Sequence, residues 1–487
     1  MPYIDLYDFL DKLEKKNDLV RIKTLVDPEL EVTEILNRLL KSKGPAVIFE
    51  NVKDSRIQIA ANLFGTTERV AYGLETTEEE LIDIGRFLAY LEHPQPPSGL
   101  IDAVKHLPFY GRILNLSPKK VKKASCQEVV LKGKDIDLSI FPILKCWPQD
   151  AGRLITWPLV ITKAPDNDTL YNMGVYRMQV ISNDRTIMRW LNNRGGRRHY
   201  RMWMEKGRPM PVAVTIGNDP ATIIAAVTPV PERVSEFHFA GVLRKKGIEI
   251  VKCVSNDLYV PANSEIVLEG EIWPDDMAME GPFGDHTGYY NPQESYPVFR
   301  INCITHRRSP LYLTTVTGRP PREDAIVGLA LNRIFLPILQ QNFPEVMDFH
   351  LPMEALSYRI AVISIKKEYP GHAKRIMMGL WGSLLQFLFV KYIIVVDPDI
   401  DVRNWDDICF ALAANVDPVR DVTIIENTPI DYLDFSSSLP ELGSKMGIDA
   451  TTKVPPETQR QWGKRITMDN KIIEKIDRIW NELGIDI

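Results

Sequence analysis

The chain changes its pattern of predicted secondary structure twice, and these two changes constrain its fold more than any other feature. In the first and last parts of the sequence, helical patterns alternate with short buried-strand runs. Between about residues 125 and 310 the chain instead holds short β-rich runs separated by Gly, Pro and Asn. Helix–strand alternation is typical of α/β layers, and many closely spaced short strands are typical of a barrel or sandwich. The sequence therefore predicts a multidomain α/β protein with a β-rich centre.

These changes predict three domains. A Pro-rich stretch at residues 93–99 has the composition of a stiff connector and lies near the end of the first domain. The predicted domains are an N-terminal α/β domain over residues 1–115, a central β-rich domain over 116–310 and a C-terminal α/β domain over 311–487.

Helix signals occur near both ends of the chain. Asp27 followed by Pro28 is typical of an N-cap with Pro at the first helical position, so we expect a helix to begin there. Near the C-terminus, a helix over about residues 471–483 would be amphipathic, and we expect it to cover either its own chain or a neighbouring subunit. Its apolar face would consist of Ile472, Ile473, Ile476, Ile479, Trp480 and Leu483.

Composition excludes several classes of protein. The 487 residues carry a formal net charge of -5, so there is no basic excess to neutralise the phosphates of a nucleic acid. Five dispersed cysteines without a Cys-x-x-Cys pair predict reduced thiols in a cytoplasmic protein and no structural zinc site. The longest apolar run, residues 376–390, is shorter than the roughly 18–20 residues of a membrane span and predicts a buried helix.

The motif EGPFGDHTGYY at residues 280–290 is the first candidate for chemistry. Glu280 and Asp285 are separated by Gly and Pro residues that cannot continue a helix or a central strand, so both lie in a loop. Two carboxylates in one cleft can be driven to different pKa values and so supply an acid and a base. The alternative is a surface turn with solvated carboxylates, and the local sequence does not decide between them.

A second group of polar residues lies in the predicted β-rich centre. Arg177, Arg189 and Arg194 alternate with aromatic and Gly residues on strands that otherwise resemble buried ones. A buried Arg needs an anionic partner, which is either an internal carboxylate or the phosphate of a bound cofactor approached through Gly195. Glu236, paired with an amide oxygen such as that of Asn172, has the oxygen ligands that Mg²⁺ and Mn²⁺ prefer, although most such pairs are ordinary hydrogen-bonded loops.

Several common enzyme motifs do not occur in the sequence. There is no His-Glu-x-x-His, Gly-x-Ser-x-Gly, P-loop or dinucleotide-binding fingerprint. Zincin, serine-hydrolase, kinase and dehydrogenase functions are therefore not supported.

Taken together, the motifs resemble those of the UbiD family of prenylated-flavin-dependent decarboxylases. The resemblance covers nearly the whole chain and depends on the order and spacing of motifs that are weak individually. They lie at residues 62–65, 146–148, 154–157, 175–177, 189–191, 228–231, 280–290, 318–321, 426–435 and 443–450.

The resemblance implies a central split β-barrel of the flavin-reductase type that binds the cofactor, and a C-terminal oligomerisation domain. It implies prenylated FMN and Mn²⁺ as cofactors, with K⁺ as a further candidate ion, and makes Asn172 and Glu236 the metal ligands. Other branches of the family have a His where this chain has Gly195, so the resemblance leaves the third ligand open. The implied cofactor-binding residues are Val175, Tyr176, Arg177, Arg189, Trp190, Leu191, Arg194, Gly195 and Lys391.

For the reaction, the resemblance implies Asp285 as proton donor in an acid–base cluster with Arg177 and Glu280. Asp at this position, rather than Glu, favours the family branch that acts on 4-hydroxybenzoates. The implied activity is decarboxylation of 3-polyprenyl-4-hydroxybenzoate to 2-polyprenylphenol in ubiquinone biosynthesis. The implied partners are a flavin prenyltransferase that supplies the cofactor, further copies of the chain, with a hexamer favoured, and peripheral contact with the inner membrane.

Three other functions remain open at this point. A phenolic-acid decarboxylase of a degradation pathway would keep the fold and the cofactor. A flavin-binding accessory subunit would not need the intact acid–base cluster. Metal-dependent hydrolysis by Asp285 and His286 would need a multi-ligand spacing that the sequence does not show.

Overall fold

A computed structural model of the chain describes residues 2–92, 116–167, 170–191, 194–228, 235–383 and 385–483. The predicted connector at residues 93–99 lies outside these ranges. The described helices are α1 (Leu6–Lys15), α2 (Glu31–Lys41), α3 (Thr67–Gly73), α4 (Leu81–Glu92), α5 (Gly195–Glu205), α6 (Pro220–Val227), α7 (Glu236–Arg244), α8 (Glu323–Asn342), α9 (His372–Ser383), α10 (Leu385–Leu388), α11 (Trp405–Asn415), α12 (Pro418–Asp421) and α13 (Asn470–Ile479).

A four-stranded sheet forms the centre of the N-terminal region, as the helix–strand alternation predicts. Its order is β1–β2–β3–β16, so the chain returns to this sheet only after completing the central one. The apolar faces of α1 and α2 are buried against it. The strands are β1 (Leu19–Ile22), β2 (Ala46–Phe49), β3 (Gln58–Ala61) and β16 (Leu311–Leu313).

The predicted helix start at Asp27 and Pro28 is wrong by three residues. Helix α2 begins at Glu31, after Leu30, whose φ of 71° cannot belong to a helix. The Asp27 carboxylate accepts instead from the backbone N–H of Glu29 at 2.9 Å and from the Lys53 ammonium at 2.6 Å. Asp27 therefore organises a turn before the helix.

The central sheet has nine strands and curls on itself. All its pairs are antiparallel, in the order β6–β9–β10–β15–β14–β11–β7–β8, with β5 added to β15. The strands are β5 (Val129–Lys132), β6 (Leu154–Ile155), β7 (Leu159–Lys163), β8 (Tyr171–Val175), β9 (Met178–Ser182), β10 (Arg185–Met188), β11 (Met210–Ile216), β14 (Ile266–Glu280) and β15 (Glu294–His306).

Two short connections reveal the curl. Strands β8 and β9 lie near opposite ends of the strand order, yet only Tyr176 and Arg177 join them. Since each residue spans at most about 3.6 Å, the two ends of the sheet must approach each other. The link from β6 to β7, residues 156–158, crosses the same gap. This gap, which we call the seam, makes the sheet a half-barrel and confirms the predicted split barrel.

A five-stranded mixed sheet organises the C-terminal region, with the order β17–β18–β19–β21–β20. A small third sheet, β13–β12–β4, lies beside the central one. The remaining strands are β4 (Lys119–Val121), β12 (Glu249–Lys252), β13 (Tyr259–Pro261), β17 (Val346–His350), β18 (Ile360–Ile365), β19 (Tyr392–Val396), β20 (Val422–Pro429) and β21 (Leu442–Asp449).

The terminal amphipathic helix forms as predicted, as α13, but buries none of its residues. Ile472 and Ile473 are each 45% exposed, and Trp480 just beyond the helix is also exposed. Of the two partners expected for its apolar face, the described part of its own chain is therefore not the one it packs against. No helix in the described ranges is long and apolar enough to cross a bilayer.

Candidate active site

A buried acid–base cluster lies at the seam. Arg177, one of the two residues that bridge β8 and β9, donates from Nε and Nη2 to the two oxygens of Glu280, at 2.8 and 3.2 Å. Its Nη1 donates to Asp285 Oδ2 at 2.7 Å, and Nη2 also donates to Asn291 Oδ1 at 2.8 Å. We call these four residues the acid cluster. The seam therefore brings Arg177 into contact with two carboxylates that lie 103 and 108 positions further along the sequence.

The turn that carries Asp285, which we call the acidic turn, connects the long strands β14 and β15. It leaves β14 at Gly281, whose φ of 91° is a conformation that favours glycine. Asn291 Oδ1 accepts from the Phe283 N–H, and Asp150 Oδ1 accepts from the Gly284 N–H, each at 2.9 Å. The backbone of the turn is thus fixed by partners on both sides. It is not the solvated surface turn that the sequence left open.

Asp285 is held as an anion despite its burial. Arg189 Nη1 also donates to Oδ2, at 2.9 Å, and His286 Nδ1 lies 2.7 Å from Oδ1. Burial acts to raise the pKa of Asp285, but Arg177, His286 and Arg189 together outweigh burial and hold that pKa well below its usual range. The resting state of this carboxyl is therefore the carboxylate.

His286 continues the hydrogen-bond chain into the C-terminal region. Its Nε2 lies 3.1 Å from the hydroxyl of Tyr358, and that hydroxyl donates to Asp431 Oδ2. Arg359 forms an ion pair with the same carboxylate at 3.4 Å. Burial acts to lower the pKa of His286, but the carboxylates of Asp285, Asp431 and Asp324 raise it above its usual value.

The other half of the site has more hydrogen-bond donors than acceptors. Helix α5 begins at Gly195, directly after the strand and loop that carry Arg189, Trp190, Leu191 and Arg194. Three buried nitrogens have no hydrogen-bond partner among the described residues: Trp190 Nε1, and Nε and Nη1 of Arg197. We call Trp190, Gly195, Gly196 and Arg197 the donor cluster. A helix N-terminus with unpaired donors fits an anionic group such as a phosphate.

Asn172 and Glu236, the predicted metal ligands, lie close together. Glu236 is the first residue of α7, and its Oε2 accepts from the backbone N–H of Met173, the neighbour of Asn172 on β8, at 3.0 Å. Burial raises the pKa of Glu236 to about 7. Arg198 acts to lower this pKa, but burial outweighs it. A divalent cation bound beside the carboxylate would stabilise its charge.

Gly195 contributes space to this pair and not a ligand. A Cβ atom on Gly195 would lie 1.9 Å from Asn172 Oδ1, and one on Gly196 would lie 2.6 Å from Trp190 Nε1. Neither position accepts a side chain without moving Asn172 or Trp190. A third protein ligand therefore cannot come from residue 195, and no group of three His, Cys, Asp or Glu side chains with metal-binding geometry occurs among the described residues.

Segment 172–177 connects the two halves of the site. Asn172, which together with Glu236 we call the metal pair, lies at its start. Val175 ends β8, and the Tyr176 hydroxyl accepts from the Gly196 N–H at 3.2 Å. Arg177 at its end enters the acid cluster. This segment of six residues therefore sets the distance between the metal pair and the acid cluster.

Lys391 lies on the C-terminal side of the site. Its ammonium pairs with Asp434 at 2.8 Å and donates to Ser436 at 2.6 Å. It faces a cavity of about 480 Å³ between the acidic turn and the C-terminal sheet. The cavity is lined by Thr287, Tyr289, Ala355, Leu356, Arg359, Ile360, Lys391, Tyr392, Leu433, Asp434, Phe435 and Ser436.

Sequence reasoning missed several residues of the site. Asn291 lies directly after the predicted turn, but nothing in the pattern marks it as a partner of Arg177. Asp150, which holds Gly284, is three residues from Trp147 in a motif that the resemblance contained. Tyr358 and Asp431 are remote in sequence from His286, and only the fold shows that they contact it.

Comparisons with known proteins agree with this architecture. Three sequence profiles of the same family match the chain, described as the N-terminal domain (residues 10–88), the Rift-related domain (119–320) and the C-terminal domain (325–450) of 3-octaprenyl-4-hydroxybenzoate carboxy-lyase.

Two solved structures match along almost their whole length. Vanillic acid decarboxylase of Sedimentibacter hydroxybenzoicus in its closed form is 31% identical, with a TM-score of 0.86 and 100% of both chains covered. The UbiD-class enzyme HmfF from Pelotomaculum thermopropionicum in complex with FMN is 29% identical, with a TM-score of 0.80, and 97% of this chain and 99% of that chain are covered. HmfF has also been solved with prFMN in an evolved dimeric form.

The profiles span the N-terminal, central and C-terminal regions in order, and the similarity to a known decarboxylase extends over the whole chain. The seam, the acid cluster and the donor cluster all lie within the matched residues. The chain therefore belongs to the UbiD family of carboxy-lyases and is a decarboxylase.

Proposed function

We propose that this decarboxylase acts on a 4-hydroxylated aromatic acid, with prenylated FMN and Mn²⁺ bound between the donor cluster and the metal pair. The observation that carries the proposal is the single segment, residues 172–177, that connects the metal pair to the acid cluster. When bound, the prenylated flavin supplies the electron sink that loss of carbon dioxide from an aromatic ring requires and that no side chain provides. The residues of the chain bind this cofactor, orient the acid and deliver a proton.

The donor cluster would hold the phosphate of the cofactor. Unpaired N–H groups of Trp190 and Arg197 lie beside the N-terminus of α5, where the helix dipole favours negative charge. Asn172 and Glu236 would bind Mn²⁺ through oxygen ligands, and the metal would neutralise both Glu236 and the phosphate. The remaining ligands would then come from the phosphate and water, since residue 195 has no room for a side chain.

Asp285 would protonate the ring carbon that loses carbon dioxide. Glu280 and Asn291 bind the Arg177 guanidinium, and Arg177 in turn holds the Asp285 carboxylate in one orientation in the resting state. Positioned general acid catalysis of this kind contributes roughly 10²–10⁴-fold to a rate.

The size of the cavity favours a small phenolic acid as substrate. A volume of about 480 Å³ beside Thr287 and Tyr289 holds a substituted benzoate ring, but not in addition a long polyprenyl chain. The lining is mainly apolar, and its two cations, Arg359 and Lys391, form ion pairs with Asp431 and Asp434. One relative that matches over the whole chain is a vanillic acid decarboxylase, which agrees with this size.

A 3-polyprenyl-4-hydroxybenzoate is the second candidate substrate. It is supported by the description of all three matching family profiles and by exposed aromatic side chains at the cavity. Tyr289 and Phe435, which lie 5.9 Å apart between ring centroids, are 67% and 54% exposed. With this substrate the tail would leave the cavity past these rings, and the enzyme would meet the substrate at a bilayer surface.

The test is to purify the full chain from cells that also express a flavin prenyltransferase and to analyse the bound small molecule by absorbance and mass. We expect prenylated FMN with one Mn²⁺, and carbon dioxide release from 4-hydroxybenzoate or a 3-substituted small analogue. Protein from cells without the prenyltransferase is the control. Protein without flavin, or with flavin but inactive on both acid classes, would contradict the proposal. Activity on the prenylated acid alone would select the second candidate.

The exposed apolar face of α13 supports a homo-oligomer. Ile472, Ile473, Trp480 and Leu483 are at least 38% exposed, and a second copy of the chain is the partner that we propose for them.

A further inference from the structure

Asp285 has no free position for the proton that it is expected to deliver. A carboxylate has about four lone-pair sites, and all four are used here. Arg177 and Arg189 donate to Oδ2, at 2.7 and 2.9 Å. The backbone N–H and the Nδ1 of His286 both lie 2.7 Å from Oδ1. The proton must therefore be stored elsewhere between turnovers.

The hydrogen-bond partners of His286 identify it as the store. Because Asp285 Oδ1 is an acceptor, Nδ1 carries a proton. Tyr358 has a single hydroxyl proton and donates it to Asp431, so Nε2 must donate to the Tyr358 oxygen. An imidazole ring that donates from both nitrogens is an imidazolium.

The charges around the ring agree with this assignment. His286 lies in contact with Asp285, and its Nε2 is 3.8 Å from Asp431 Oδ2. The third carboxylate that acts on it is Asp324, at the start of α8. The cations nearby are directed at the carboxylates and not at the ring: Arg177 and Arg189 contact Asp285, and Arg359 contacts Asp431.

We propose that His286, held between Asp285 of the central region and the Tyr358–Asp431 pair of the C-terminal region, stores the proton that Asp285 delivers to the substrate carbon. This inference rests on the proposed role of Asp285. His286 acts through Asp285 and does not touch the substrate, so it is a positioning residue.

Three proton transfers complete one turnover. The N–H bond at Nδ1 breaks and an O–H bond forms at Asp285 Oδ1, which leaves a neutral imidazole and a neutral carboxyl. The neutral carboxyl, no longer attracted to a charged imidazolium, then leaves its contact with Nδ1 and turns its O–H toward the substrate. It gives this proton to the ring carbon, where the electron pair left by carbon dioxide forms the C–H bond. The carboxylate is restored, and the neutral imidazole takes up one proton at Nδ1 from a hydronium ion, which becomes water. One solvent proton thus replaces one carbon dioxide.

The assignment also links the chemistry to the position of the C-terminal region. Tyr358 precedes β18 and Asp431 follows β20, so the acceptor for Nε2 is present only when that region lies against the acidic turn. His286 therefore has both hydrogen-bond partners only in the arrangement that also forms the cavity.

The first experiment measures the ring directly. The full chain is labelled with ¹⁵N-histidine, and the side-chain resonances are followed against pH, with His286→Asn used to assign the signal. We expect one histidine to remain doubly protonated above the usual pKa of about 6.5. In Asp431→Asn the same signal should titrate at lower pH, because the anion near Nε2 is lost. The proposal is overturned if the pKa of His286 is at or below the usual value, or if that pKa is the same in Asp431→Asn.

The second experiment measures turnover against pH. Activity should fall as pH rises through the pKa of His286, and this alkaline limb should move to lower pH in Asp431→Asn and Tyr358→Phe. His286→Asn, which keeps a donor to Asp285, should lose roughly 10²–10⁴-fold in turnover. His350→Asn on β17 is the control, with an unchanged profile expected. An unchanged pH profile in His286→Asn would overturn the role of His286 as proton store. The role of Asp285 as proton donor is tested separately by Asp285→Asn, so each proposal can fail without the other.

Discussion

The acid cluster and the donor cluster face the same segment of chain but differ in how completely the protein satisfies them. In the acid cluster, Arg177 has carboxylate or amide partners on three of its nitrogens, and Glu280 is fully buried against it. In the donor cluster, N–H groups of Trp190 and Arg197 are buried without partners among the described residues.

This difference shows which part of the site the chain builds alone. Unpaired buried donors cost free energy, about 1–3 kcal/mol each in typical cases, and persist where a ligand supplies the acceptor. The acid cluster is complete and should be preorganised before any ligand binds. The donor cluster and the metal pair should become stable only when an anion and a cation are present.

The largest expected effect is that of Asp285→Asn on turnover. If the acid cluster supplies the proton, this variant should lose roughly 10²–10⁴-fold in turnover, because the amide cannot deliver a proton. Cofactor and metal content should not change, since Asp285 lies outside the donor cluster. Carbon dioxide release and flavin absorbance are the measurements, and full turnover in this variant would remove Asp285 from the mechanism.

Arg177→Met would test how strongly the acid cluster depends on its one shared cation. It leaves Glu280 and Asp285 buried without that partner, which typically costs about 3–5 kcal/mol in unfolding free energy. Urea unfolding measures the loss, with Arg185→Met on β10 as the control, because the Arg185 side chain is half exposed. Equal stability of the two variants would mean that the cluster is not preorganised.

The pH dependence of stability should show whether the metal pair binds a cation. Burial raises the pKa of Glu236 from 4.5 to about 7, so folding favours its protonated form. This contribution to stability is complete below pH 4.5 and is lost as the pH rises through about 7, by roughly 3 kcal/mol. In metal-free protein, Glu236→Gln should remove the part of the pH dependence that comes from Glu236, and added Mn²⁺ should reverse that part of the loss at high pH.

The control for this measurement is Glu323, whose pKa burial also raises to about 7. Glu323 accepts from the Phe64 N–H and from Thr315, far in sequence from the metal pair. Its contribution should persist in Glu236→Gln and should not respond to Mn²⁺. A response of both carboxyls to the metal would show a general effect on stability and no specific site.

Gly195→Ala should weaken metal binding with a smaller effect. The added methyl group would lie 1.9 Å from Asn172 Oδ1 and displace that ligand, and a change of this kind typically costs 10–100-fold in metal affinity. Gly382→Ala is the control, because its Cβ meets no atom within 4 Å. Metal content after dialysis is the measurement. Unchanged content would show that Asn172 does not bind the metal.

Removal of α13 should have no effect on either cluster. None of residues 470–483 is buried, so deletion of the chain from residue 470 onward should leave flavin content and urea unfolding unchanged. It should instead reduce the size of the assembly, as measured by light scattering. An unchanged assembly would exclude α13 from the interface between copies.

The sequence predicted the parts of the site whose chemistry is carried by residue type and local motif. Asp285 was found because Gly and Pro force its segment out of regular structure. Glu280 was expected in the same loop, and that expectation is wrong, because Glu280 is the last residue of β14. Asn172 and Glu236 were found only as an oxygen pair of no special spacing, and their roles came from the resemblance. The half-barrel itself was indicated by the density of short strands, but not the seam, which depends on pairing between distant strands.

The remaining residues depend on contacts that local patterns do not encode. Tyr358 and Asp431 reach His286 only because the C-terminal sheet lies against the acidic turn. The start of α2 was misplaced because Leu30 adopts a positive φ, which no local rule for leucine predicts. Gly195 was taken for a cofactor contact, and only the position of Asn172 shows that a side chain would not fit there.

The bridge of two residues across the seam has a consequence for how such an enzyme could change its substrate. The distance between the metal pair and the acid cluster is set by one short segment of chain. That distance cannot increase unless the two ends of the half-barrel sheet separate. Variation in the size of the acid must then be absorbed on the opposite wall, by Leu356, Ile360, Leu433 and Phe435. Directed evolution toward larger or smaller acids should therefore collect its changes there and leave residues 172–177 untouched.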